Sequence, residues 1–125
     1  MGKTILDYAK SKRVLVWLKF RHRGGRRGGT GFYWLVKVGG EYRSLEDVGK
    51  LIRRERLYGR TLWRELWELP IDVTLVRRHY HALHFRDIEI KLRYVVEARY
   101  RDMFIEVAEV REEQETQPDN PSENR

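Results

Sequence analysis

The segment that decides the fold is residues 13–38, which run RVLVWLKF, RHRGGRRGGTG and FYWLVKV in order. Two runs rich in valine, leucine and aromatic residues flank a glycine–arginine segment, a pattern typical of strands. It predicts a β-hairpin with strands at residues 13–20 and 32–38. Glycines let the connecting backbone come close to a partner, and guanidinium groups suit phosphate oxygens and base faces. This favours a nucleic-acid-binding surface over a solvated turn between two core strands.

Alternation along the two strands predicts which sides face the core. The entirely apolar sides consist of Val14, Val16, Leu18, Phe20, Phe32, Trp34, Val36 and Val38. The opposite sides mix aromatic, aliphatic and basic side chains, including Lys19, Tyr33 and Lys37. Trp17 lies on this mixed side with Lys19 and Arg21, so it is the best candidate for a base-stacking platform. The other three tryptophans lie on apolar faces and are expected in the core: Trp34, Trp63 and Trp67.

The composition indicates one basic domain. A chain of 125 residues without cysteine favours a single core with no disulfide framework and no thiolate metal site. Residues 1–58 hold 15 Lys or Arg against 5 Asp or Glu, whereas residues 59–110 hold 9 of each. Such a one-sided field points to a polyanion, either nucleic acid or an anionic membrane surface. The density of charged residues also suggests a thermophilic source.

The sequence shows no signal-peptide pattern. It also has no apolar run that approaches the length of roughly 20 residues needed to span a membrane. We therefore expect a cytoplasmic protein without a membrane partner.

Periodicity predicts three helices after the hairpin. Ser44 and Asp47 suit a helix start, and an apolar stripe continues through residues 45–57. A second helix is expected at residues 62–69, ended by a proline. The third segment, residues 71–84, has a β-branched start that suggests a strand, but its polar residues gather on one helical arc. We predict a helix at 72–84.

Three further strands complete the predicted fold. Gly39-Gly40 can make a tight turn into a short strand at residues 41–43. Period-2 alternation predicts a long strand at 88–100 and a return strand at 103–110. The order β-β-β-α-α-α-β-β implies an α+β fold, in which about three helices pack on one face of an antiparallel sheet of four to five strands. This domain spans residues 1–111, and the acidic, proline-containing tail 112–125 is expected to be disordered.

Two histidine patterns raise the question of catalysis. His79-Tyr80-His81 matches the His-hydrophobic-His string of the HUH endonucleases, which hold a divalent metal. In a helix, however, His79 and His81 would be about 200° apart and could not share a metal. His81 and His84 would share a helical face, but no carboxylate lies at helical spacing beside them. We therefore predict no catalytic residue, metal or other cofactor.

The strands RVLVWLKF and FYWLVKV, followed by the arginine-rich LIRRER at residues 51–56, resemble the ThermoDBP-type single-stranded DNA-binding proteins of hyperthermophilic archaea. The resemblance covers residues 13–110. It implies an antiparallel sheet with helices and a strand-binding aromatic cleft lined by basic residues.

The predicted function is non-catalytic binding of single-stranded DNA or RNA. A metal-dependent nuclease or nicking enzyme around His79, His81 and His84 is one alternative. The other is a protein-interaction module whose sheet face is covered by a second copy of the chain. The predicted nucleic-acid-binding residues are Trp17, Lys19, Arg21, Arg23, Arg26, Arg27, Tyr33, Lys37, Arg53 and Arg54.

Overall fold

The computed structural model describes residues 12–22, 30–59, 61–81, 84–98 and 104–111. These residues form eight strands and two short helices. The strands are β1 (Arg13–Arg21), β2 (Thr30–Val38), β3 (Glu41–Arg43), β4 (Lys50–Tyr58), β5 (Leu62–Pro70), β6 (Thr74–His81), β7 (His84–Lys91) and β8 (Ile105–Arg111). The helices are α1 (Leu45–Val48) and α2 (Leu92–Ala98).

All eight strands belong to one antiparallel sheet with the main order β4-β5-β1-β2-β6-β7, while β3 pairs with β2 and β8 with β1. β1 pairs with β5 along its whole length and with β8 over Arg13 to Leu18. It meets β2 only at Arg21, opposite Phe32. β2 instead pairs with β6 from Thr30 onward. The sheet therefore has two halves, joined at a corner where β1 ends and β2 begins.

One apolar core unites the two halves. The predicted apolar sides of β1 and β2 are confirmed, because all eight of their side chains are buried. All but Phe32 pack with Trp67 and Leu69 of β5, Leu75 of β6 and Ile105 of β8, so the sheet curls around a single core. The helices close it with two side chains each: Leu45 and Val48 from α1, Leu92 and Val95 from α2.

The predicted α+β class is wrong, since the described residues are mostly antiparallel sheet with only two short helices. The hairpin prediction is correct in its strands but not in their pairing, because β1 takes β5 and β8 as its main partners. The short strand after Gly39-Gly40 is confirmed. Both glycines have positive φ, 59° and 87°, as a two-residue hairpin turn requires.

The helix predicted at residues 62–69 is wrong, because this segment is β5. Trp63 and Trp67 are four positions apart, a spacing that puts them on one face of a helix and also on one face of a strand. The residue between them, Glu65, lies on the same inward face and accepts hydrogen bonds from both indoles. An acidic residue at an inward position interrupts the alternation of apolar and polar residues that indicates a strand. The segment therefore fits a helix better when only its sequence is considered.

The helix predicted at 72–84 is also wrong, because Thr74–His81 is β6. Its inward face includes Arg77 and His79, while its outward Val76 is fully buried. Neither face is uniformly polar, so alternation was not visible.

Only the first turn of the helix predicted at 45–57 exists. α1 stops at Gly49, whose backbone is extended, and an exposed outer strand follows. The long strand predicted at 88–100 is correct as far as Lys91 but then becomes α2, where Leu92 and Val95 are buried at helical spacing. The return strand at 103–110 corresponds to β8. The tail 112–125 lies outside the described residues.

Among the described residues, no helix has both the length and the apolar character needed to cross a bilayer.

Candidate functional site

Antiparallel pairing brings chemically similar side chains to one end of the sheet. β1, β4 and β6 finish there, and β2, β5 and β7 begin there. We call this end the Arg21 end, after the last residue of β1. His22 and Thr30, the described residues on either side of the arginine–glycine segment, also lie at this end.

Two rows of paired residues cross the sheet at the Arg21 end. Directly paired residues point to the same side of a sheet, so each row is a line of neighbouring side chains. Phe20 and Arg21 are consecutive in β1 and therefore point to opposite sides of that strand, so the rows are two separate lines. With strands about 4.8 Å apart, the first row spans roughly 10 Å over three strands and the second roughly 14 Å over four. The first row is Arg56–Trp63–Phe20, and the second is Arg21–Phe32–His79–Arg86.

A three-layer stack lies on the first row. The rings of Phe20 and Trp63 are parallel within 5°, with centroids 5.3 Å apart. The Arg54 guanidinium lies 5.1 Å from the centre of the Trp63 ring. Its side chain is 62% exposed, which leaves the outer layer of the stack open to a ligand. A guanidinium held over an aromatic ring presents a flat, charged surface on which a base can stack.

Glu65 fixes the orientation of this stack. Its two carboxylate oxygens accept hydrogen bonds from Trp63 Nε1 and Trp67 Nε1, each at 2.8 Å. Arg54 Nε lies 3.6 Å from the same carboxylate. The Glu65 side chain is only 12% exposed. One partly buried carboxylate therefore holds the indole and the guanidinium in place before any ligand arrives.

A bulge in β4 directs arginines toward this stack. Leu51 is opposite Trp67, but Arg53 is opposite Leu66, so one residue between them is extra. The extra residue reverses the side to which each following side chain points. Arg54 and Arg56 consequently line a cleft of about 550 Å³ together with Gly59 and Trp63.

A second cleft, of about 420 Å³, lies at the start of the β6–β7 hairpin. Cationic, aromatic and aliphatic side chains line it. The lining residues are Arg77, His79, Tyr80, His84, Phe85, Arg86 and Ile88. The Arg77 guanidinium lies 3.9 Å from the centre of the Phe104 ring. Its Nε donates to Nε2 of His79 at 3.1 Å, so the His79 proton is expected on Nδ1.

Burial lowers the pKa of His79, and the positive charges of Arg77, Arg86 and Arg21 lower it further. Three cations around one imidazole repel a metal ion and attract an anion. Because this segment is a strand, the argument that a helix would hold His79 and His81 about 200° apart no longer applies. Even so, no three His, Asp or Glu residues of the described part of the chain come together in a way that could hold a metal ion.

The His79 environment predicts a pH dependence of stability. An exposed histidine has a pKa near 6.5, so between that value and the lowered native pKa the unfolded chain binds more protons. Stability should therefore fall as the pH drops below about 6.5, until the lowered native pKa is passed. Thermal melts should show a smaller drop for His79→Gln than for the wild type. An equal drop in His79→Gln and the wild type would contradict the assignment.

The predicted platform Trp17 is half-buried, and Arg64 already covers one face of its ring. The Arg64 guanidinium lies 4.0 Å from the ring centre and is held by Glu55 at 2.9 Å. Lys19 is opposite Arg64 on the same outer face. A base could stack on this side of Trp17 only by displacing an ion-paired arginine.

The predicted residues of β2 lie on the outer face of the other half of the sheet. The Tyr33 ring is 5.8 Å from that of Tyr80. Lys37 donates to Glu89 at 2.8 Å. The structure therefore does not bring Tyr33 and Lys37 together with Trp17.

The arginines predicted as ligands are divided by the structure. Arg21 and Arg54 lie at the Arg21 end, whereas Arg53 points to the opposite face and pairs with Glu55 at 3.2 Å. Arg23, Arg26 and Arg27 lie outside the described residues.

Sequence reasoning missed four residues of this end: Phe20, Arg56, Trp63 and Arg86. The apolar alternation placed Phe20 and Trp63 in the core, which is correct for their contacts but hides their position at its open end. A useful signal was the WRE sequence at residues 63–65, because an acid two positions after a tryptophan can accept a hydrogen bond from the indole N–H.

No family model, curated protein or solved structure matches this chain. The resemblance to ThermoDBP-type proteins stays a prediction.

Proposed function

We propose that the protein binds single-stranded nucleic acid, DNA or RNA, without catalysis, along the two rows at the Arg21 end. The observation that carries the proposal is the exposed Arg54 guanidinium over the Trp63 ring, with the exposed Arg21 and Arg86 in the neighbouring row. Phe20 and Phe32 are buried and support these surfaces from below. Aromatic and guanidinium planes stack any base, and a positive groove follows the phosphate backbone.

The charge balance at this end supports a polyanionic partner. Arg21, Arg56 and Arg86 take part in no ion pair within the described ranges, whereas arginines on the outer faces, such as Arg64 and Arg78, are paired with acids. Arginines without an acidic partner can neutralise phosphates and release the counterions of the nucleic acid. A cytoplasmic location belongs to the same proposal.

In this proposal, Arg54 replaces Trp17 as the first stacking surface. A base on the Arg54 guanidinium would extend the existing Phe20–Trp63–Arg54 stack by one layer. Double-stranded nucleic acid has no free base face to offer, so this contact should favour single strands.

Arg54→Lys keeps the charge but removes the planar guanidinium. We expect it to weaken single-strand binding by about 1 kcal/mol, at the low end of base stacking, with the salt dependence unchanged. Arg54→Ala should weaken binding further and reduce the slope of log K against log[salt] by roughly 0.7. Anisotropy titrations of labelled single-stranded and duplex DNA and RNA, at about 50 and 200 mM salt, measure both effects.

The matched control is Arg53→Lys, one position away on the opposite face of β4, and it should bind like the wild type. If Arg54→Lys binds with wild-type affinity, the Phe20–Trp63–Arg54 stack is not part of the binding site. Wild-type protein that binds no better at low salt than at high salt would contradict nucleic-acid binding itself. Metal-dependent cleavage of the labelled strands would favour the nuclease alternative.

A further inference from the structure

We infer that the cleft between the ends of β6 and β7 binds one phosphate group, held by Arg86 and by His79 in its protonated form, so that binding takes up a proton. This inference deepens the proposed function and rests on it for the natural ligand, a phosphate of a polynucleotide. The anion site itself can be tested without nucleic acid.

The first argument is the arrangement of donors. Arg77 lies on the inner face, two positions before His79 on β6, and Arg86 is directly opposite His79 on β7. Arg21 is close enough to influence the His79 imidazole from β1. Donors from β6 and β7 therefore line one opening of about 420 Å³, and Arg21 adds positive potential from β1. Guanidinium groups bind phosphate oxygens through paired N–H donors.

The second argument is the charge state of His79. Without a ligand, burial, the three arginines and the hydrogen bond from Arg77 Nε to Nε2 favour the neutral imidazole. Protonation of Nε2 breaks that bond, so that both Arg77 Nε and the new N–H can donate to an anion. An anion in the cleft would offset these positive charges and make the imidazolium favourable. The charged and titratable groups around it are Arg77, Arg86, Arg21 and His84; the aromatic ring of Phe32, 5.3 Å away, covers another side. No carboxylate lines the cleft among the described residues, so an anion meets no like charge there.

Sulfate is a suitable probe because it stays doubly charged across the pH range in which histidine titrates. NMR of the imidazole nitrogens, assigned with His79→Gln, reports protonation of His79 directly. We expect added sulfate, at constant ionic strength, to raise the His79 pKa. Sulfate affinity should then increase as the pH falls, by no more than tenfold per pH unit, because one proton is linked to binding.

Variants of β7 test the location. Arg86→Gln should reduce sulfate affinity about tenfold, the effect of losing one charge-assisted contact of about 1.4 kcal/mol. Lys91→Gln removes an equal charge from the same strand at its opposite end and should change affinity less than twofold. His79→Gln should abolish the pH dependence while the protein stays folded. Sulfate binding that leaves His79 unchanged, or that is insensitive to Arg86→Gln, would overturn the inference.

Short oligonucleotides identify the source of the phosphate. A preference for strands with a 5′ or 3′ terminal phosphate over hydroxyl-ended strands would assign the cleft to a phosphate monoester. Equal affinity for phosphate-ended and hydroxyl-ended strands, lost in His79→Gln, would assign the cleft to an internal phosphodiester. Sulfate binding with proton uptake but no oligonucleotide affinity would contradict the proposed function and support the anion site. Oligonucleotide binding in which His79 takes no part would support the proposed function and contradict the cleft as its phosphate site.

Discussion

Glu65→Ala is expected to lower the free energy of unfolding by about 2–4 kcal/mol, because it leaves two indole N–H groups without their acceptor. Trp67 is only 3% exposed, so water cannot readily replace the lost carboxylate there. Glu65→Gln keeps one carbonyl acceptor but turns an N–H₂ group toward the second indole. Its stability should therefore lie between those of the wild type and the alanine variant. Urea unfolding followed by tryptophan fluorescence measures the series.

Glu68→Ala is the matched control in the same strand. Glu68 lies on the outer face, where its contact with Arg111 is a loose ion pair of 3.8 Å. Exposed pairs of this kind contribute about 0–1 kcal/mol. Equal losses from the two alanine variants would contradict the role assigned to Glu65. We also expect Glu65→Gln to weaken single-strand binding, since the Trp63–Arg54 stack would lose its anchor.

Gly31→Ala is expected to destabilise the protein by about 1–3 kcal/mol through overpacking at the corner between the two halves of the sheet. A Cβ at this position would lie 2.6 Å from the backbone oxygen of Arg21 and 2.6 Å from the Tyr80 hydroxyl. The tyrosine can move, but the β1 backbone is fixed by its pairing with β5. The corner would have to open, and both rows of the candidate site pass through it.

Two further variants show which contact matters. Gly59→Asn, in an open turn with a φ of 52°, should leave stability nearly unchanged, because asparagine tolerates this conformation. In a Tyr80→Ala background, Gly31→Ala should cost less stability than in the wild type but still some, since the backbone contact remains. Thermal and urea unfolding give the comparison, and a Gly31→Ala variant as stable as the wild type would mean that the corner relaxes freely.

The sequence predicted the core of β1 and β2 well, because their inward faces are apolar without interruption. Prediction failed where inward positions carry polar side chains, as at Glu65, Arg77 and His79. These groups are tolerated there because they contact one another or indole and aromatic rings, and such partners cannot be recognised before the strands are paired. The helical interpretation of β5 and β6 followed directly from that ambiguity.

Only the composition of the candidate site and a few of its residues could be predicted from the sequence. Its basic, aromatic composition and two of its members, Arg21 and Arg54, followed from the sequence. The position of Arg54 depends on one extra residue in β4, which reverses the side to which it points. The grouping of Phe20, Trp63, His79 and Arg86 depends on pairing between distant strands, which periodicity does not contain.

The position of β1 in the sheet also determines how the chain can fold. The pairs β2–β3, β4–β5 and β6–β7 are hairpins of strands adjacent in sequence. The main partners of β1 are instead distant in sequence: Arg21 pairs with Leu62, and Arg13 with Arg111. Contacts of such long sequence separation slow folding. During synthesis, the hydrogen-bonding groups on one edge of β1 stay uncovered until β8 has been made. An uncovered apolar strand edge invites pairing with another chain, so aggregation should be most severe in this interval, before the last described strand reaches the first.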